Sequence, residues 1–567
     1  MAFGQVACGI LLLGAVDGPE RTFSPDPGDG TYLNPVLAGD YSDPDVLRVG
    51  DDYYLVSSSL VNVPGLPILH SRDLVNWSLI GHALPRLEPA GHYATPRRGG
   101  GVWAPAIVHH RGLFRIYYPD PDRGIFVVTA RDPRGPWSAP VLVDDTRGAI
   151  DPAPFFDDDG TAWLAHAYAA SRAGISNVIV LKRMNREGTR TLDAGQRIID
   201  GDRLPQVRTS IGMRPWQTTE GPKLYKRNGF YWIFAPSGSV KGGWQGVFRA
   251  KRLTGPWEGR NVLDQGPTQI NGPHQGAWVR TEAGEDWFLH FHDTDSYGRR
   301  VFLEPMRWRD GWPVIGEDPD GDGIGQPVLR HRKPRLASVA PTSPEGDDDF
   351  ATGSPSLAWQ WNANPQEDWV LPASAGWLRL KSASTPANLW EAGNLLSRKL
   401  PALRFTATVK LRFAPVRDGE RAGLALLGSD YAWVGAERIE GKMRLVQVTR
   451  TGANAATGDE AIAEGPPITA STDLWLRITA QPVTVSNPPP DFSPYWPSML
   501  RSTHARATFA YSFDGRSFVP LGQPFESRPG RWVGAQLGIF AQAPSGTPAF
   551  AATSVGHADV DWFRLTP

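Results

Sequence analysis

Three carboxylates, a tryptophan and a histidine recur in one phase of this sequence. Asp43, Trp103, Asp151 and Glu220 each stand nine residues before a turn, at Asp52, Gly112, Gly160 and Gly229, and His274 stands ten before Gly284. Their surroundings read SDPD, VWAP, AIDP, TTEGP and NGPHQG, so a proline lies close to each. Taken singly, every one has an ordinary reading: Asp before Pro caps turns, Glu before Gly-Pro sits in a loop, and His and Trp pack. The shared phase asks for more, because turns do not need a carboxylate at the same place three times. Two carboxyl groups flanking a glycosidic bond can hydrolyse it. One protonates the leaving oxygen; the other attacks the anomeric carbon or deprotonates a water. A third carboxylate nearby raises the pKa of the donor by charge repulsion.

A repeat must position these residues. Five segments share a turn followed by alternating aromatic and aliphatic residues: DDYYLVSS (51–58), RGLFRIYY (111–118), DGTAWLAH (159–166), NGFYWIFA (228–235) and GEDWFLHF (284–291). Each follows a shorter apolar strand, at 46–49, 106–109, 154–156, 223–226 and 277–280. Three more segments, HSRDLVNW, TARDPRGPW and RAKRLTGPW, end in Trp and read as the outer edge of a repeated antiparallel sheet. Five such units at uneven spacing predict a five-bladed β-propeller. The first strand of each blade lines the central channel, so the five residues converge at one mouth. Glu220, on the longer arm, suits the proton donor, and Asp43 the base. Blades 1 and 4 face each other across the channel, with room for a water between them. Blade 3 neighbours blade 4, so Asp151 is the modulator of Glu220. A wide gap between donor and base predicts inversion.

The bulk composition agrees with an all-β chain. Its 567 residues call for at least two domains, and its 61 Gly, 52 Pro and 22 Trp suit turns and strands. Tryptophan faces also stack on sugar rings, although most Trp in β proteins fills cores. A net charge of −1 without charged blocks excludes nucleic-acid and anionic-membrane partners. The single cysteine, Cys8, excludes an intrachain disulfide and a thiolate metal site. Residues 1–16 carry an apolar run too short to cross a bilayer. It reads as a candidate signal segment without the usual basic start, which predicts a secreted or periplasmic protein, or a cytoplasmic one if the run is no signal. The propeller is placed at 30–320 and a linker at 321–346, inside a stretch rich in Pro, Gly, Asp and Ser (317–349). The DPDGDG piece there lacks the acidic twelfth residue of a calcium loop and reads as a solvated turn. Strands alternating in polarity from 403 onward predict a β-sandwich over 347–567.

The segments NPVLAGDYSDPDV, VWAPAI, GAIDPAPFFDDDGTAWL, TEGPKLYKRNGFYWIF and NGPHQGAWV resemble glycoside hydrolase family 43, in family order, from Asn34 to Val314. GRRVFLEPMRWRDGWPVIG resembles the subgroup of β-xylosidases and α-L-arabinofuranosidases with a C-terminal jelly-roll, concanavalin-like sandwich. The resemblance implies a five-bladed propeller and inverting hydrolysis. It makes Asp43 the general base, Asp151 the pKa modulator and Glu220 the general acid. Trp103 would line the sugar pocket, and Arg299 would contact the sugar near the modulator. His274 would touch a structural calcium in the channel, directly or through water. Arg131-Asp132-Pro133 resembles a signature of fructan-cleaving propellers, but it falls in the repeated blade edge and is read as structural.

The expected function is exo-acting, inverting removal of α-L-arabinofuranosyl or β-D-xylosyl residues from plant polysaccharide or oligosaccharide (arabinoxylan, arabinan, xylo-oligosaccharides). An endo-arabinanase would need an open cleft instead. A non-catalytic glycan-binding propeller would have no use for three carboxylates.

Overall fold

The computed structural model describes residues 24–470, 472–486, 501–547 and 556–566. The candidate signal segment and Cys8 lie outside them. Five four-stranded antiparallel sheets follow one another along the chain. Their innermost strands are Asp45–Val49, Ala106–His110, Ala149–Phe156, Lys223–Arg227 and His274–Arg280. These strands neighbour one another in turn from blade 5 through blades 1, 2 and 3 to blade 4, whose second strand, Phe230–Ser237, meets the inner strand of blade 5 and closes the ring, which makes the sheets the blades of a propeller. All five repeated segments form second strands, as their alternation predicts. In blades 2 and 4 the hairpin turn is of the tight type that needs positive φ at both central residues: Arg111 and Gly112 have φ of 52° and 74°, and Asn228 and Gly229 of 50° and 71°.

Each seam between blades is a hydrophobic cluster. Ile68 and Ile116 belong to the seam of blades 1 and 2, Tyr117 and Leu164 to the next, and Ile179 and Phe248 to that of blades 3 and 4. Phe234 and Phe288 join blades 4 and 5, and Leu55 and Leu289 close the ring. Burying such a side chain is worth roughly 1.5–3 kcal/mol, so the seams fix where each inner strand stands. Most of the propeller's tryptophans serve this packing; Trp77, Trp244 and Trp287 are fully buried. The chain before blade 1 straps the ring shut on blade 5. Leu37 bridges to Val301, and the Asn34 side chain both donates to the Leu303 carbonyl (2.8 Å) and accepts its N–H (2.9 Å).

Part of the segment expected as a linker is ordered against the propeller: Arg330–Arg332 pairs antiparallel with Thr31–Leu33. The C-terminal half is two packed eight-stranded sheets. Val409, Leu476 and Phe563 of one meet Leu424, Val434 and Ile539 of the other in a single core. The sandwich docks by backbone pairing. Val63 and Trp361 exchange both N–H···O bonds (2.9 and 2.6 Å), and Asn364 caps the N–H and C=O of Leu87 (2.8 Å each).

Candidate active site

The inner strands are broken at one level. Asp43, Asp151 and Gln275 have φ of 55°, 56° and 45°, in the left-handed region that costs a non-glycine residue about 1–3 kcal/mol. The ladder slips at the same places, between Ile150 and Ala153 and between His274 and Gly276. Such a bulge interrupts the alternation and re-aims a side chain. Proline follows Asp43, Asp151 and Gly221 and supplies no N–H to the ladder there. Gly221 is required for a second reason: a Cβ on it would lie 2.3 Å from Gln275 Oε1.

The result is one cavity of about 480 Å³ lined by Asp43, Trp103, Asp151, Glu220, His274 and Arg299. All six residues singled out from the sequence therefore come together. Asp43 accepts from Ser58 Oγ (2.8 Å) and from Arg299 Nη1 (3.2 and 3.4 Å). Glu220 Oε1 lies 2.9 Å from His274 Nε2, and the Glu220 side chain keeps 22% of its surface exposed. Asp151, only 3% exposed, accepts the Gly221 N–H at 2.8 Å. The resemblance places Arg299 near Asp151; it lines the same cavity as Asp151, and its guanidinium pairs with Asp43. The cause is topology, since Arg299 opens a strand of blade 5, which adjoins blade 1 in the ring.

Burial, then the charges of Glu220 and Asp43, push the Asp151 carboxyl up to about 8. The repulsion belongs to the set, so at neutral pH the three groups together hold a proton that exposed carboxyls would have released. Unfolded, an aspartate titrates near 3.8, so the folded chain binds this proton more tightly. The stabilisation is complete below about pH 4 and is lost as the pH rises toward about 8. Asp151→Asn buries no charge at any pH and still offers an oxygen to Gly221. It is expected to be more stable than the wild type at about pH 8–9 and to converge with it near pH 4, the free-energy gap changing by up to about 1.4 kcal/mol per pH unit. Melting curves across that range check this; a gap independent of pH would contradict it.

The residues here do not compose a calcium site. Calcium takes six to eight oxygens. His274 offers one nitrogen, Nδ1, which is buried without a hydrogen-bond partner; Glu220 is held by His274, and Gln275 bonds Asp151. One step down the channel, the Lys223 ammonium reaches from blade 4 to the Pro105 carbonyl (3.0 Å), 3.8 Å from Asp45. That buried cation is the partner of Asp45. Among the described residues, the one group of three or more His, Cys, Asp or Glu spaced to share an ion is Asp318, Asp320 and Asp322, away from the cavity. Arg309 and Arg208 already pair with two of its members.

Sequence reasoning missed Trp532. It comes from the sandwich, yet it lines the cavity, 44% exposed, with its ring centroid 6.5 Å from that of Trp103. The Arg299 guanidinium lies 5.8 Å from its ring and 4.8 Å from that of Phe291 on the other side. Its φ of 64° is unusual for so bulky a residue. The one sequence signal was a Trp among Gly, Pro and Arg in a strandless stretch, RPGRWVG.

The comparisons with known proteins agree with this architecture. The model of glycosyl hydrolases family 43 matches residues 32–313, and that of the β-xylosidase C-terminal concanavalin A-like domain matches 347–566. A β-xylosidase of Formosa agariphila is 32% identical over 95% of this chain and 90% of its own. The non-reducing end α-L-arabinofuranosidase BoGH43B of Bacteroides ovatus is 31% identical over 80% of this chain and 84% of its own. Among solved structures, the family 43 protein BlXynB of Bacillus licheniformis superposes with a TM-score of 0.75 at 25% identity, covering 94% of this chain and 99% of that one. Three converging carboxylates at the mouth of a five-bladed propeller, a sandwich reaching into the same cavity, and matches along both halves establish that the chain belongs to glycosyl hydrolase family 43 and is a glycoside hydrolase.

Proposed function

We propose that the protein is an exo-acting, inverting hydrolase that removes terminal α-L-arabinofuranosyl or β-D-xylosyl units from plant cell-wall glycans. The observation that carries this reading is the cavity itself. One pocket holds Asp43, Asp151 and Glu220, and Trp532, delivered by a second domain, stands at its wall. A walled pocket receives a chain end, whereas an endo-acting enzyme needs a groove open on both sides. The relatives named for β-xylosidase and α-L-arabinofuranosidase activity support the two sugars.

In this reading Asp43, oriented as an acceptor by Arg299 and Ser58, takes a proton from the attacking water. Glu220, exposed to the cavity and steadied by His274, gives a proton to the departing oxygen. Asp151 lies behind them, and its charge repulsion favours the protonated state of the set. The new bond forms between water oxygen and anomeric carbon as the glycosidic bond breaks. Inverting enzymes keep the two carboxyls roughly 6.5–9.5 Å apart so that the water fits between. The hydroxyl-rich sugar would stack on Trp103 and Trp532. The protein is expected to be secreted or periplasmic, or cytoplasmic if the N-terminal apolar run is no signal, and to act on polysaccharide or its oligosaccharide fragments.

The test is parallel hydrolysis of a chromogenic α-L-arabinofuranoside and β-D-xyloside, with the first-formed anomer read by NMR. Release of the inverted anomer from at least one is expected. Retained configuration would overturn the roles of Asp43 and Glu220. Internal cuts in arabinan without release of monosaccharide would overturn the exo assignment.

A further inference from the structure

Asp40 stands three residues before Asp43, is not among the residues lining the cavity and is 7% exposed. Its Oδ1 accepts the backbone N–H of Arg299 at 2.8 Å, and its Oδ2 accepts the backbone N–H of Gly534 at 2.7 Å. One carboxylate thus joins the strand that starts with Arg299 to the sandwich loop that carries Trp532. The packing around it is as close as backbone allows. Gly298 has φ 74° and ψ −158°, a conformation essentially reserved for glycine, and a Cβ there would fall 2.3 Å from Asp40 Cγ. A Cβ on Gly534 would fall 2.5 Å from the Gly298 nitrogen.

The sandwich grips the same turn at other points. The Ala535 N–H donates to the Ser296 carbonyl (2.7 Å), Ser296 Oγ donates to the Ser527 carbonyl (2.8 Å), and the Thr503 N–H donates to Asp295 Oδ2 (2.8 Å). Among the described residues, however, only the Asp40 contact holds the Arg299 backbone and the Trp532 loop with one group. Two acceptor oxygens face two N–H donors there, and no other side chain of that size offers both.

We propose that Asp40 is a positioning residue that sets Arg299 and Trp532 against the sugar, so that docking of the sandwich and shape of the pocket are one event. The inference rests on the hydrolase reading above. Asparagine has the shape of Asp40 but one acceptor, and it turns an NH2 toward one of the two N–H groups. Removing a charge-assisted bond of this kind is worth about a ten- to hundredfold change.

The experiment measures kcat and KM of the full-length chain on whichever glycoside the wild type hydrolyses. Asp40→Asn is expected to raise KM about tenfold or more, with a smaller change in kcat and intact far-UV circular dichroism. Trp532→Ala is expected to raise KM as well. The double variant should be little worse than the worse single one, because both act through the same wall. Glu345→Gln, at another buried interdomain carboxylate that bonds Tyr41 (3.0 Å) and Arg398 (3.2 Å), should lower the melting temperature and leave KM alone. If Asp40→Asn does not fold, Gly534→Ala strains the same joint from the sandwich side and should raise KM. Unchanged KM in the folded joint variant, multiplying effects in the double variant, or an equal KM rise in Glu345→Gln would each overturn the proposal. A wild type that cleaves neither the arabinofuranoside nor the xyloside would instead overturn the proposed function on which it rests.

Discussion

Glu220→Ala is expected to lose about 10²- to 10⁴-fold in kcat on a sugar-linked or alkyl glycoside, yet to keep much of its turnover on an aryl glycoside with an acidic phenol. The reason lies in what the residue does. An alkoxide is a poor leaving group and must be protonated as the bond breaks, whereas an acidic phenol departs as the phenolate. Glu220 is the carboxyl of the three with the most exposed side chain, and His274 Nε2, 2.9 Å away, fixes which way it faces. The measurement is the ratio of wild-type to variant kcat on the two substrates, with circular dichroism to verify the fold. Equal losses on both would remove Glu220 from the role of proton donor.

The site was legible because its signal is local and repeated. A residue at a fixed distance before a hairpin turn needs no knowledge of the rest of the chain, and five copies of one hairpin announce a ring. Even Ser58 follows from the register: Asp45 pairs with Val56, so Asp43 lies opposite Ser58, and their side chains meet at 2.8 Å. What could not be read was whatever depends on how distant pieces dock. Arg299 falls on Asp43 because blade 5 closes against blade 1, and spacing along the chain says nothing of ring closure. Trp532 reaches the pocket from a loop 233 residues beyond Arg299, held by Asp40 and Gly298. No periodicity encodes that contact. Lys223 carried no signal either. In sequence it is one more strand-opening lysine, and its placement across the channel appears only when the inner strands of blades 1, 2 and 4 surround it.

Asp43→Ala should behave in the opposite way to Glu220→Ala, and this contrast is the strongest test of the mechanism. Its loss in kcat is expected to be about 10²- to 10⁴-fold on every substrate, whatever the acidity of the leaving group. Water must lose a proton to become a nucleophile, and a better leaving group does not help it do so. Asp43 is placed to accept that proton. Arg299 and Ser58 both donate to it, which leaves the carboxylate as an oriented acceptor above the channel. Asp43→Asn separates charge from shape. The amide can keep the Ser58 contact, yet it cannot take a proton, so it should be nearly as slow as the alanine variant. A small anion such as azide, which needs no base, should partly restore turnover of Asp43→Ala by attacking the anomeric carbon from the vacated side. Glu220 would still protonate the leaving oxygen, and the product would be the glycosyl azide of inverted configuration. A retained azide would mean a double displacement through a covalent intermediate, and recovery of Asp43→Ala on the aryl glycoside alone would mean that the two carboxylates have exchanged roles.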